Sequence, residues 1–134
     1  MNSEMEIMVV HAAFEDVAKI VALVDIPVEI EDDIEALEYA YRWTQNLHGS
    51  WSRGAEVEGE KNHDFNWRVK RLGDLPTHLG KEIGMRSTSV RDYMSVVTKM
   101  GEVRRYRVAG VGFDRVTDAE FPMIEGFDQL LCSL

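Results

Sequence analysis

Arg86-Ser87-Thr88-Ser89 is the most polar motif between the chain's predicted structured pieces. Hydroxyls beside an arginine, with free backbone N–H groups, can cradle a phosphate. The motif has neither the glycine-rich spacing nor the lysine of a P-loop, so nucleotide hydrolysis is not expected. The alternative is a turn in which the hydroxyls bond their own backbone and Asp92 closes onto the next strand. A second polar stretch, Ser50-Trp51-Ser52-Arg53, carries a tryptophan in a glycine-bounded loop. Exposed, Trp51 would anchor a partner or stack on a base; folded back, it would seal the core beside a helix end. The candidate ligand- or partner-binding set is therefore Trp51, Arg53, Arg86, Ser87, Thr88 and Ser89.

Other chemistry finds little support. His11, His48, His63 and His78 form no i,i+4 pair and no HExxH motif, so no metal is expected. No GxSxG elbow accompanies the serines. The single cysteine, Cys132, has no basic neighbour to make it a thiolate, and it excludes an internal disulfide framework. No cofactor and no catalytic residue are predicted, and a non-enzymatic role is expected.

The elements that must position these residues are read from periodicity. Met5, Ile7 and Val9 alternate with Glu4, Glu6 and Met8, predicting a strand over about residues 4–13. Val17, Ile20, Val21 and Val24 fall at helical spacing over residues 15–24, enough for a turn or two. The main helix is expected over about residues 32–48. Asp32 with Glu35 three residues on is a capping signature, and Gly49 supplies a stop. Residues 49–64 read as a long loop, Phe65, Trp67 and Val69 as a half-buried strand, and residues 73–84 as irregular chain. Tyr39, Trp43 and Trp67 are expected in the core. Tyr93–Thr98 and Val103–Val108 predict a hairpin, and the apolar parity slip after Ala109-Gly110 predicts a bulge. Thr117 and Glu120 could cap a short final helix. Ile124, Phe127, Leu130 and Leu131 recur at helical intervals, to pack on the sheet or to join two chains in a homodimer. The predicted class is α+β: an antiparallel sheet packed against one main helix, with long loops and a short C-terminal helix.

The chain has 134 residues, 45% hydrophobic and 29% charged, the size of a single domain over residues 1–134. Its longest apolar stretch, Val17 to Val28, is broken by Lys19, Asp25 and Pro27, so no membrane span is expected. Met1-Asn2-Ser3-Glu4 lacks the basic start of a secretion signal, which predicts a cytoplasmic location. The formal charge of −9 argues against direct nucleic-acid binding. That charge is segregated: residues 1–38 carry a net −10, residues 39–117 a net +5 and residues 118–134 a net −4. Its simplest reading is solvated faces and internal complementarity. A sharper one is an acidic surface of Glu29, Glu31, Asp32, Asp33 and Glu35 that engages a basic partner, with imitation of DNA as one form.

Glu35-Ala36-Leu37-Glu38-Tyr39-Ala40-Tyr41-Arg42-Trp43-Thr44-Gln45-Asn46, followed by Gly49-Ser50-Trp51-Ser52, resembles a pattern in small proteins of tailed bacteriophages. So do Met85-Arg86-Ser87-Thr88-Ser89-Val90-Arg91-Asp92 and Tyr106-Arg107-Val108-Ala109-Gly110-Val111-Gly112-Phe113. The second half is similar to the YodL-like domains of phages and mobile elements. The chain departs from the pattern at Arg91, where glycine is frequent; if that glycine holds a positive φ, the local turn must differ here. The resemblance implies a phage-encoded accessory protein working in the host cytoplasm. The leading expectation is a binder of a host protein, such as a defence factor. A protein that sequesters a nucleotide-like signal through Arg86–Ser89, and a minor virion component, are the alternatives.

Overall fold

The computed structural model describes residues 5–124. Alternation of apolar side chains builds the centre of a six-stranded antiparallel sheet. Its strands are β1 (Met5–His11), β2 (Lys19–Asp25), β5 (Val69–Arg71), β8 (Tyr93–Thr98), β9 (Val103–Val108) and β10 (Phe113–Val116), in the order β10-β9-β8-β1-β2-β5. The helix α1 (Asp33–Arg42) crosses one face. Ile7, Val9, Ala22, Val24, Met94 and Val96 point to that side and bury Ala36, Leu37 and Ala40 of the helix. The other face presents Met8, Val10 and Leu23, against which Tyr93, Phe121 and Ile124 pack. The class is α+β, an antiparallel sheet on one helix, as periodicity predicts.

Several elements differ from expectation, each for a physical reason. Residues 19–25 are a strand. Val9 pairs with Ala22 and Val10 with Ile20, so Val21 is the extra residue of a bulge. The bulge breaks strict alternation, and the resulting spacing of Ile20, Val21 and Val24 imitates a helix. The parity slip after Ala109-Gly110 is no bulge: the chain turns there, with Ala109 N–H donating to Gly112 O, and returns as β10.

Helix α1 starts where Asp32 caps it, its carboxylate accepting from the Glu35 N–H at 3.2 Å. It ends at Trp43, well before Gly49, because Thr44, Gln45 and Asn46 bond to a distant segment described below. The loop over 49–64 contains a hairpin, β3 (Glu56–Val57) and β4 (Glu60–Lys61). The stretch over 73–84 contains another, β6 (Thr77–His78) and β7 (Lys81–Glu82). Each has a two-residue tip with positive φ at both positions, Glu58-Gly59 and Leu79-Gly80, the geometry of a type I′ turn. Phe65 and Asn66 are irregular chain, Trp67 and Arg68 form a turn, and Trp67 is 72% exposed under the Arg68 guanidinium rather than in the core. Thr117 and Glu120 form a reciprocal cap, but only one turn follows it among the described residues. Phe127, Leu130, Leu131 and Cys132 lie outside the described residues. No helix among the described residues is long and apolar enough to cross a membrane.

Candidate functional site

The segment that follows α1 and the segment Met85–Ser89 are brought together. Thr44 ends the helix by donating its hydroxyl to Ala40 O at 2.8 Å, and its carbonyl then accepts from the Thr88 N–H at 3.0 Å. Gln45 donates its amide to Thr88 O, and Asn46 N–H donates to the Ser87 hydroxyl, both at 2.8 Å. Asn46 also donates to Met85 O and accepts from the Trp51 N–H. Trp51 is 2% exposed and donates its indole N–H to Arg86 O at 2.8 Å. Of the two readings of Trp51 the structure shows the folded-back one: the ring seals the core beside the helix end and is no exposed anchor.

At the centre lies Asp92, fully buried. One carboxylate oxygen accepts from the Ala12 and Ala13 N–H groups, the other from Ser89 N–H, at 2.8–2.9 Å. Arg86 adds a bidentate pair at 2.8 Å and holds Glu15 on its other edge at 2.8 and 3.0 Å. Its remaining N–H donates to Ser87 O. All five guanidinium N–H groups are therefore used. Burial opposes ionisation of Asp92, but Arg86 and the backbone donors outweigh it and hold the carboxyl below its ordinary range. Hydrogen bonds from Arg86 do the same for Glu15. Burial likewise disfavours the Arg86 charge, and the two carboxylates overcome that and raise its pKa.

This arrangement corrects the phosphate-cradle expectation for Arg86, Ser87, Thr88 and Ser89. Ser87 accepts from Asn46, Thr88 meets His11, Ser89 bonds Ser87 O, and an incoming anion would have to displace Asp92 or Glu15. Arg53 is half-buried and its side chain makes no hydrogen bond among the described residues.

One contact has the form of a nucleophile and base: Thr88 Oγ1 lies 2.9 Å from His11 Nε2. Three features oppose catalysis. The two residues are 1% and 2% exposed, leaving no approach for a substrate. Asp92 faces the same Nε2 at 3.9 Å, so it does not orient the ring from Nδ1 as a triad carboxylate does. Burial lowers the imidazole pKa to about 4, which makes it a weak base near neutrality.

The long loop is held by two residues that periodicity could not reveal. Buried Asn62 accepts from Ser50 N–H and donates to Ser50 O and Gly54 O. A Cβ at Gly49 would collide with the Asn62 side chain, which explains the glycine there. Buried Asp64 accepts from the His48 and Gly49 N–H groups and faces Arg42 at 3.3 Å. Burial opposes its charge, and the backbone donors still keep its pKa low.

Of the expected acidic surface, Asp33 is removed: Arg104 clamps it at 2.7 and 2.9 Å and the Tyr106 hydroxyl donates to it at 2.8 Å. Asp32 is spent on the helix cap. Glu29, Glu31 and Glu35 are exposed, and Glu38 joins them; none of the four carboxylates has a cationic partner among the described residues.

Beside Glu38 lies a groove of about 490 Å³ between the end of α1 and the β9–β10 turn. Tyr41, Leu47, Val90, Val108 and Phe113 make it mainly apolar. Tyr41 and Phe113 meet edge to face, with ring centroids 6.3 Å apart. The residues lining the groove come from two stretches of chain, 38–47 and 90–113. The polar clasp is thus structural, while these two stretches form a concave surface. No group of three or more metal-ligating side chains occurs among the described residues. No protein family, no curated protein and no solved structure matches the chain.

Proposed function

We propose that this chain is a non-enzymatic accessory protein of phage origin that binds a basic host protein through its acidic surface. The phage-like pattern supplies the origin, and the host cytoplasm follows from it. The observation that carries the binding reading is the contrast around the helix start. Asp33 is neutralised by Arg104, whereas Glu29, Glu31, Glu35 and Glu38 stay exposed and unpaired among the described residues. Clustered acids without internal partners raise local negative potential and favour encounter with a cationic surface. The polar groups best equipped for chemistry are committed to each other within the clasp, which supports a role performed by surface rather than by bond making.

The test is salt dependence. Protein immobilised and exposed to bacterial lysate at low salt is expected to retain a partner, and raising ionic strength from about 0.05 to about 0.5 M should release it. Recovery of no partner at low salt, or of one indifferent to salt, contradicts the reading.

A further inference from the structure

The groove and the unpaired acids are continuous. Glu35 and Glu38 stand three residues apart on α1, so they share one flank of the helix, and Glu38 itself lines the groove. Glu31 immediately precedes the N-cap Asp32. One helical turn, about 5 Å, therefore separates a carboxylate at the groove's rim from the next along the helix. The apolar walls are partly open to solvent: Leu47 is 57% and Val90 45% exposed, and Val111 at the tip of the β9–β10 turn is 96% exposed.

Charge decides the occupant. Arg42, a cation in the groove wall, forms an ion pair with Asp64 at 3.3 Å and lies over the Trp43 ring at 4.1 Å, and its Nη1, which has no hydrogen-bond partner among the described residues, is buried out of an incoming ligand's reach. Gln45 has given its amide to Thr88 O. Arg91, next to Val90, is exposed and unpaired among the described residues. An anionic nucleotide would face Glu38 with little to compensate it. A segment with apolar side chains and flanking lysines or arginines meets complementary surface at both steps.

We propose that the groove between α1 and the β9–β10 turn is a docking site for a short basic segment of a partner protein. Its apolar side chains enter between Tyr41, Val90 and Phe113, and its cations lie along Glu38, Glu35 and Glu31. This rests on the acidic-surface reading above and names where on that surface, and by what kind of sequence, the partner is held. It is a groove mode in which apolar anchors set position and rim charges set orientation and encounter rate.

The test uses the isotope-labelled protein and three synthetic peptides followed by NMR: a lysine- and leucine-rich peptide, its glutamate-for-lysine counterpart and its serine-for-leucine counterpart. Adenosine triphosphate forms a fourth arm. Saturable shifts at the amides of Glu38, Leu47, Val90 and Phe113 with the first peptide alone are expected. The pair Glu35→Lys and Glu38→Lys should weaken binding about tenfold or more. Val90→Ser, at an exposed position, should weaken it while leaving the remaining spectrum unchanged, which separates lost contact from lost fold. Equal binding of the glutamate peptide or of the nucleotide, shifts that map elsewhere, or no shifts would overturn the assignment. If the groove fails while lysate still yields a salt-sensitive partner that charge reversal at Glu29 and Glu31 releases, only this inference falls. If lysate yields none, the broader reading falls with it.

Discussion

The guanidinium of Arg86 and the carboxylate of Asp92 meet in two parallel hydrogen bonds of 2.8 Å, and the same guanidinium holds Glu15 on its other edge. Because Asp92 also collects backbone donors from Ala12, Ala13 and Ser89, it ties the end of β1 to the start of β8. Removing half of such a buried pair leaves an uncompensated charge and unpaired donors, a cost of roughly 3–5 kcal/mol. Asp92→Asn is expected to lower unfolding free energy by that order in urea denaturation. A loss below about 1 kcal/mol would show that the pair contributes only as a surface ion pair does.

Acid should weaken the fold in two stages. Burial depresses the His11 pKa from 6.5 to about 4, so the folded state resists a proton that the unfolded chain accepts. Stability is full above 6.5 and falls as the pH drops toward about 4, by about 3 kcal/mol for this residue. Glu15, Asp33, Asp64 and Asp92 are held below their ordinary values, so their contributions are lost at lower pH still. Histidine NMR titration should show His11 neutral at pH 5; protonation near 6.5 would contradict its burial.

Arg91 takes φ +80°, a left-handed conformation that costs a side-chain-bearing residue about 1–2 kcal/mol. The turn therefore retains the shape glycine would give it, with arginine bearing the strain, against the expectation that substitution alters the turn. Arg91 N–H donates to Val108 O at 2.9 Å, which holds the position. Arg91→Gly should leave stability unchanged or raise it by up to about 1 kcal/mol, since glycine's unfolded-state entropy offsets part of the relief. Arg91→Val should lower it, because a β-branched residue fits this region poorly. Thermal melts giving the reverse order would refute the strain.

Thr88→Val removes the hydroxyl that meets His11 while keeping the side chain's shape. Leaving the imidazole nitrogen unsatisfied is expected to cost about 1–3 kcal/mol, read by denaturant unfolding. An unchanged midpoint would mean that the Thr88–His11 bond contributes nothing.

What could be read from the residues alone was local. Asp32 and Glu35 announced the start of α1 because a cap is made by neighbours three apart. The helix end was hidden because Thr44, Gln45 and Asn46 answer to Ser87 and Thr88, more than forty residues away. The two small hairpins escaped notice because glutamate and leucine, rather than asparagine or aspartate, precede glycine at their tips. The Arg86–Ser89 motif stands out in the sequence only as polar, and of its two readings the structure shows the turn whose hydroxyls bond backbone and on which Asp92 closes. Its partners His11 and Glu15 come from a distant strand end, and no spacing rule announces a contact between residues 77 apart, as His11 and Thr88 are. The acidic surface was legible as composition, but only packing shows that Asp33 belongs to Arg104 and that Glu38 is exposed beside a groove.

The central claim, that the exposed acids act and the buried clasp only supports them, is tested most directly by one comparison of three proteins. Wild type, Thr88→Val and the charge-reversed Glu29→Lys/Glu31→Lys/Glu35→Lys variant are used to capture partners from bacterial lysate, with quantitative mass spectrometry of what is retained. The account predicts a stoichiometric partner on wild type and on Thr88→Val, and its loss from the charge-reversed variant. Retention on the charge-reversed protein, or loss from a folded Thr88→Val, would contradict it.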